Sequence, residues 1–278
     1  MGGRPKLLNE RYINRLNRSI SNVSTTARLI KSDLKIPGSL RTIQRQIKKL
    51  PNIRRKKMLR KPKLFQHHKN ARLKWAKYHG TWTKKWHSVC FSDEKKFNLD
   101  GPDGFSYYFH DLRKEELLLS KRQNGGGSIM VFGAFGYHGK LSIHFVEDNM
   151  KAKDYVDIIC NKVIPFSNKM YGKNWIFQQD NAPVHTSNIT KTFLRDNNIK
   201  VLSWPSCSPD LNPIENLWGI LTRMVYSNGR QFSTINELKE KIVYEWDRIP
   251  NEICRNLIET MPKRIKDVIK RNGGNTKW

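Results

Sequence analysis

The uneven distribution of charge along the chain limits its fold more than any other feature of the sequence. Residues 1–80 contain 23 Lys and Arg against only Glu10 and Asp33, a net charge of +21, whereas residues 81–278 carry a net charge of only +7. A basic segment of this kind beside a nearly balanced one is typical of a nucleic-acid-binding module joined to an ordinary globular domain. The sequence therefore predicts two parts with different tasks.

Composition narrows the class of protein further. Of the 278 residues, 37% are hydrophobic and eight are Trp, so the chain can bury a sizeable core and is not disordered throughout. A total charge of +28 favours a polyanionic partner, most often nucleic acid and less often an anionic membrane face. No apolar run approaches the roughly 20 residues that span a bilayer, and no signal-peptide pattern is present. The four cysteines have no C-x-x-C spacing, which argues against a zinc ribbon or a disulfide scaffold.

The first 50 residues show three short helical patterns, which begin after Asn9, Ser24 and Ser39. We predict a helix-turn-helix domain over residues 1–50. The third helix turns four apolar positions inward, and the rest of its surface carries side chains that contact phosphates and base edges: Arg41, Thr42, Gln44, Arg45, Gln46, Lys48 and Lys49. The alternative is a solvated basic helix that reads no base sequence.

Basic residues also lie on either side of this unit. The tetrapeptide 3–6, Gly-Arg-Pro-Lys, resembles arms that insert an arginine, here Arg4, into an A·T-rich minor groove. Residues 51–80 are predicted to be a basic linker, because their first part is too charged and too rich in proline for a core element. Its basic cluster lies along phosphates, serves as a nuclear localisation signal, or does both: Arg54, Arg55, Lys56 and Lys57.

From residue 81 onward the pattern changes to β-branched and aromatic runs separated by Gly, Asn and Asp, followed by alternating helical and strand patterns. This order predicts an α/β domain over residues 81–278 with a mixed sheet. The predicted strands are 86–91, 106–110, 129–135, 141–146, 175–177 and 200–204, and the predicted helices are 154–166, 189–194 and most of the chain after 213.

Three carboxylates stand out within this plan. Asp93 and Asp180 each follow a predicted strand, and Glu215 lies in the first turn of a predicted helix. Open α/β sheets place their ligands at the carboxyl ends of strands. Three carboxylates brought together repel one another unless divalent cations neutralise them, and hard cations such as Mg²⁺ bind carboxylates together with phosphate oxygens. Two such ions would activate a nucleophile and stabilise the leaving oxygen of a phosphodiester.

Structural roles for the same residues stay open at this point. Asn212 and Pro213 form a good helix start, in which Glu215 would cap the helix by reaching back to the Asn212 amide. Asp93 and Asp180 would each be a turn acid at a strand end. His185, five residues after Asp180, would either contact a substrate phosphate or pack in the interior.

The three acids lie in motifs that resemble the catalytic blocks of mariner-superfamily DNA transposases. The motifs are SDEKKF at 92–97, QDNAPVH at 179–185 and SPDLNPIE at 208–215. The 34 residues between Asp180 and Glu215 match the spacing of the nematode-type branch of that superfamily. The resemblance covers essentially the whole chain.

The resemblance implies a ribonuclease-H-like mixed sheet with flanking helices, in which Asp93, Asp180 and Glu215 are catalytic and bind two Mg²⁺ or Mn²⁺ ions. It implies binding to terminal inverted repeats in double-stranded DNA, cut-and-paste insertion at TA targets, a homodimer on DNA, no membrane partner and a nuclear location. Family members begin with two helix-turn-helix units joined by a Gly-Arg-Pro linker. Because this sequence starts at that linker, we expect the first unit to be missing and site choice to be impaired.

Three function classes follow. The first is a metal-dependent DNA transposase of the DDE type. The second is a non-catalytic, sequence-specific DNA-binding protein derived from a transposase. The third is a ribonuclease-H-like nuclease that cleaves DNA without strand transfer. All three motif acids are present, which favours the enzyme.

Overall fold

Two compact units make up the computed structural model, Met1–Arg60 and Lys61–Trp278. The residues that the structure describes are 10–20, 27–50, 63–101, 127–146 and 150–278. Arg4, the cluster Arg54 to Lys57 and the predicted strand 106–110 lie outside these ranges. Within them, no helix is both long enough and apolar enough to cross a membrane.

Three helices form the described part of the smaller unit: α1 (Glu10–Ile20), α2 (Ala27–Leu34) and α3 (Leu40–Lys49). They pack around a small apolar core of Leu16, Ile30, Ile36 and Ile43. The hydroxyl of Ser39 accepts a hydrogen bond from the Thr42 amide at 3.2 Å and so begins α3, as the sequence predicts. The three predicted helices are therefore present.

The larger unit begins with a helix that the sequence hides. Residues 66–78, inside the predicted basic linker 51–80, form α4 (Gln66–Tyr78), which buries Arg72, Trp75 and Ala76 against the rest of the unit. The sequence of α4 shows no apolar face, because one of the side chains on its buried side is the cation Arg72. The guanidinium of Arg72 contacts both carboxylate oxygens of Asp210, at 2.7 and 2.8 Å.

A single mixed sheet forms the centre of the larger unit. Its strands are β1 (Val89–Asn98), β2 (Ser128–Gly136), β3 (Gly139–Lys140), β4 (His144–Val146), β5 (Ile176–Gln178) and β6 (Lys200–Val201). The strand order is β3-β2-β1-β5-β6, and β4 also pairs with β2. Pairing is antiparallel between β1 and β2, and parallel between β1 and β5 and between β5 and β6. The predicted mixed sheet is confirmed.

Helices cover both faces of this sheet. They are α5 (Ala152–Ile158), a π-helical turn at Ile159–Val163, α6 (Ile164–Tyr171), α7 (Pro183–Thr186), α8 (Asn188–Asp196), α9 (Ile214–Val225), α10 (Ile235–Arg248), α11 (Asn251–Glu259) and α12 (Met261–Lys270). Side chains alternate along β1, so that Phe91 and Phe97 enter the core shared with α4 and α9–α12, while Cys90 enters the core shared with α5 and α8.

Both ends of the first strand differ from the predicted range 86–91, and the predicted strands 141–146 and 200–204 are shorter in the structure, as β4 and β6. Trp86 is not in a strand but in a 3-10 turn, Lys84–Ser88, where its large side chain is buried. The strand itself continues to Asn98, because β2 pairs with its charged second half as far as Ser128. The local apolar pattern predicts neither the burial of Trp86 outside the strand nor the extension to Asn98, since both depend on residues distant in the sequence.

Close packing between α9 and the sheet occurs at Gly133, and it yields a prediction. A Cβ atom added at Gly133 would lie 2.5 Å from the Trp218 ring, which is rigid and fully buried. We expect Gly133→Ala to lower the free energy of unfolding by about 1–3 kcal/mol, because α9 must shift away from the sheet. Gly219→Ala is the matched control, because its Cβ would meet nothing closer than 3.8 Å and alanine favours a helix. Urea unfolding of both variants measures the difference, and equal stability would contradict this account of the packing.

Candidate active site

Asp93 lies in the middle of β1, so the prediction that it follows the strand is wrong. The parallel pairing of β1 with β5 nevertheless ends just before it, at the pair Phe91 and Gln178. Asp93 is two residues beyond Phe91, and Asp180 is two residues beyond Gln178. Both carboxylates therefore belong to the edge of the sheet where parallel strands present their carboxyl ends.

Trp218 connects this edge to the helix that carries Glu215. Its indole N–H donates to Asp93 Oδ2 at 3.1 Å, and its ring occupies the space left by Gly133, which pairs with Asp93 across the sheet. Glu215 lies three residues before Trp218 in α9, on a neighbouring position of the same helix face. The Trp218 contact thus brings Glu215 to the Asp93 side of the sheet.

The charges of these two carboxylates oppose each other. Burial raises the pKa of Asp93 to about 8, with further contributions from the negative charges of Glu215 and Glu94, against smaller effects of hydrogen bonding that include the Trp218 bond. Burial likewise raises the pKa of Glu215, against the positive charge of Lys95. Two half-buried carboxylates that resist ionisation are the oxygen donors that a hard cation would stabilise.

Asp180 is held by a different set of contacts. Its Oδ1 accepts hydrogen bonds from the Ala182 amide at 2.8 Å and from His185 Nδ1 at 2.6 Å. The His185 bond lowers the pKa of Asp180, against the effect of burial. Burial lowers the pKa of His185, but Asp180 and Glu94 outweigh it and raise the value to about 9, so the imidazole is a cation at neutral pH.

The three predicted acids are therefore not equally close in the structure. Asp93 and Glu215 interact through their charges, whereas Asp180 is bound to His185. Across the described ranges, no three His, Cys, Asp or Glu side chains are gathered tightly enough to hold a metal ion. Both contacts of Asp180 use Oδ1, which leaves Oδ2 for a further ligand.

The contacts of Asn212 and Asp180 bear on the structural roles that the sequence leaves open. The Asn212 amide donates to Pro209 O at 3.0 Å, so the helix start does not need Glu215 as a cap. The Asn212 side chain accepts from the Ile214 amide at 3.4 Å at the helix start and donates to Ser92 O at 3.2 Å, which ties the beginning of α9 to the residue before Asp93. Asp180 does make a turn contact, with Ala182, in addition to its bond with His185.

Glu94 is absent from the residues predicted from the sequence, although it lies in the SDEKKF motif. Its Oε1 is 3.3 Å from His185 Nε2, on the opposite face of β1 from Asp93. The alternation of side chains along a strand could have placed it there, but its histidine partner is 91 residues further along the chain.

Most of the predicted DNA-contacting residues of α3 are exposed polar side chains. Arg41, Gln44, Arg45, Lys48 and Lys49 are exposed, and the helix contains no acidic side chain. Thr42 differs from them, because its hydroxyl lies 3.0 Å from Ser39 Oγ at the start of the helix.

Comparison with known families identifies the chain. The family described as DDE superfamily endonuclease matches residues 88–239, more than half of the sequence. The Transposable element Tc3 transposase of Caenorhabditis elegans is 43% identical over 271 residues, which cover 97% of this chain and 82% of that protein. The Transposable element Tcb1 transposase of Caenorhabditis briggsae is 34% identical, over 86% of this chain and 88% of that protein.

Solved structures show the same fold. The mariner Mos1 paired end complex with Mg is similar with a TM-score of 0.79 and 18% identity, covering 100% of this chain and 82% of that one. The catalytic domain of Mos1 mariner transposase is similar with a TM-score of 0.63 and 16% identity, covering 79% of this chain and 100% of that one. The mixed sheet with its flanking helices is thus a ribonuclease-H-like catalytic fold, and the chain belongs to the Tc1/mariner family of DDE-type transposases.

Proposed function

We propose that this transposase binds terminal inverted repeats, cleaves the phosphodiesters at the transposon ends and joins those ends at TA targets. The observation that supports the proposal is the pair of half-buried carboxylates, Asp93 and Glu215, near the carboxyl ends of the parallel strands, where the negative charge of Glu215 adds to burial in raising the pKa of Asp93. Such a pair lowers the stability of the folded protein when both acids are ionised, and a bound cation would stabilise the ionised carboxylates.

We propose that these donors bind two Mg²⁺ or Mn²⁺ ions together with phosphate oxygens of the DNA. Asp93 and Glu215 supply hard oxygen ligands, and Asp180 offers Oδ2 while Oδ1 stays bound to Ala182 and His185. Structures of Mos1 complexes with Mn and with Mg support the use of divalent ions in this family. When bound, such ions activate the attacking water or 3′-hydroxyl and stabilise the leaving oxygen.

The role of the protein in this proposal is to hold the carboxylate oxygens in place. Trp218 fixes Asp93 through its N–H, and Asn212 fixes the start of the helix that carries Glu215. Both contacts are made by side chains within the buried core, so neither carboxylate depends on a mobile surface group for its position.

DNA binding is assigned to the basic residues of the first 80. The exposed face of α3 would read base edges and phosphates, Arg4 would enter the minor groove, and Arg54 to Lys57 would follow the backbone. One of the similar solved structures is a Mos1 transposase paired-end complex with left transposon end, which supports DNA as the partner. We further propose a homodimer on DNA and a nuclear location.

The first prediction separates the enzyme from a non-catalytic DNA-binding protein. We expect Asp93→Asn, Asp180→Asn and Glu215→Gln each to lower metal-dependent cleavage by more than about a hundredfold, because changes outside the ligand set already cost 10–100-fold. DNA affinity should stay within about threefold, since phosphate contacts lie elsewhere. Asp196→Asn, at an exposed carboxylate paired with Arg195, is the control. Cleavage of a labelled inverted-repeat duplex measures the effect, and full activity in any one variant removes that residue from the site.

The second prediction concerns stability and pH. The folded-state pKa of Asp93 is about 8, above the ordinary 3.8, so wild-type stability falls as the pH rises between those values. In the presence of a chelator, the free energy of unfolding of Asp93→Asn relative to that of the wild type should therefore rise by on the order of 1–3 kcal/mol between pH 5 and pH 8.5. Adding Mg²⁺ at the higher pH should stabilise the wild type more than the variant. Urea unfolding at both pH values tests this, and a constant difference would show that the carboxylate is not under strain.

The third prediction concerns the salt dependence of DNA binding. Replacing Arg41 and Arg45 together by Gln should lower the magnitude of the slope of log affinity against log salt by about 2, at roughly 0.9 for each lost phosphate contact. Lys173 and Lys191, exposed cations of the larger unit, are replaced by Gln in the control. Fluorescence anisotropy across a salt series gives both slopes. Equal slopes in the two double variants would mean that α3 does not contact phosphates.

A further inference from the structure

We infer that Glu94 is a positioning residue, which acts through His185 to fix the Asp180 carboxylate. The inference rests on the proposed function, because it gives Asp180 the task of a metal ligand. It adds a fourth acid to the site, on the face of β1 opposite Asp93.

The three side chains form a continuous series of short contacts. Glu94 Oε1 lies 3.3 Å from His185 Nε2, and His185 Nδ1 lies 2.6 Å from Asp180 Oδ1. The two inner members are largely buried, with side-chain exposures of 16% for Glu94 and 4% for His185, whereas Asp180 is 54% exposed. A largely buried pair therefore holds a carboxylate that is exposed to solvent.

Packing prevents the imidazole from turning away. The Tyr155 ring lies against it, with 4.1 Å between ring centroids and an interplanar angle of 31°. The Tyr155 hydroxyl donates to Gln179 Oε1 at 2.8 Å, and Gln179 Nε2 donates to His185 O at 3.1 Å. The ring and its backbone are thus held by the residue next to Asp180 as well as by Asp180 itself.

The contact of Glu94 with His185 matters because both atoms lack other partners. Within the described part of the chain, Glu94 Oε1 and His185 Nε2 are buried without a well-aligned hydrogen bond. Their 3.3 Å approach is the contact that compensates this burial. Removing Glu94 would leave Nε2 unpaired, so that only the Tyr155 packing and the Asp180 bond would still orient the ring.

The result for Asp180 is that one oxygen is fixed and the other is available. Oδ1 receives bonds from two directions, the Ala182 amide and the His185 ring, so the carboxylate plane is defined. In known metal sites, contacts behind the ligands orient them, and their loss typically costs 10–100-fold in metal affinity or activity. Glu94 would orient Asp180 in this way indirectly, through its contact with His185.

The test measures Mn²⁺ binding to the full chain by titration calorimetry without DNA. We expect Glu94→Ala to weaken binding by about 10–100-fold, and His185→Phe, which keeps a ring against Tyr155, to weaken it by a similar factor. Because both changes break one series of contacts, the double variant should be no weaker than either single one. Glu94→Gln keeps an acceptor oxygen and should stay within about threefold of the wild type.

Glu259→Ala is the matched control, because it removes a carboxylate 2.9 Å from the half-exposed His87 elsewhere in the same unit. Its Mn²⁺ affinity should be unchanged. Thermal unfolding in chelator confirms that each variant is folded at the titration temperature. If Glu94→Ala is not folded, the test rests on the other two variants: His185→Phe should weaken Mn²⁺ binding, and Glu94→Gln should keep it.

Wild-type Mn²⁺ affinity in Glu94→Ala, or additive losses in the double variant, would overturn the inference. Failure of the proposed function would look different. In that case Asp180→Asn would itself bind Mn²⁺ and cleave DNA like the wild type, whatever the Glu94 variants do.

Discussion

The site depends on the packing of one indole against one glycine. Trp218 lies where Gly133 leaves no side chain, and from there its N–H reaches Asp93. The same contact sets the distance between α9 and the sheet, and therefore the position of Glu215. A larger residue in β2 would separate the helix and the strand that carry the two opposing carboxylates. One contact thus provides both the close packing of α9 on the sheet and the placement of the two carboxylates proposed to bind metal.

Two carboxylates that are unfavourable when ionised lie within a well-packed part of the larger unit. The half-buried carboxylates of Asp93 and Glu215 disfavour the folded state when ionised, yet the surrounding core of aromatic and aliphatic residues is continuous. Active sites commonly combine a stressed ligand set with a rigid support, because preorganised ligands need not rearrange when the cation and substrate bind.

Much of this site is accessible from the sequence, and the reasons for the exceptions are physical. Asp180 and Glu215 follow from local signals, a strand end and a helix start. The middle position of Asp93 does not, because the second half of β1 is a strand only through its pairing with β2. The sequence predicts a linker in place of α4, because Arg72 resembles a solvated charge until Asp210, 138 residues later, is seen to bind it. Glu94 and Asn212 acquire their roles from contacts with His185 and Ser92, and such distant pairings leave no mark on a local pattern.

The alternation of side chains along β1 has a consequence for how this strand can change over time. Asp93 and Glu94 are adjacent, yet the first meets Trp218 on one face and the second meets His185 on the other. Inserting or deleting a single residue before them would shift the register and exchange the two acids between faces. Each would then meet the wrong partner, although both would still be present. We expect length variation among related chains to be confined to the connections between elements, because this strand can tolerate substitution but not a change in the number of its residues.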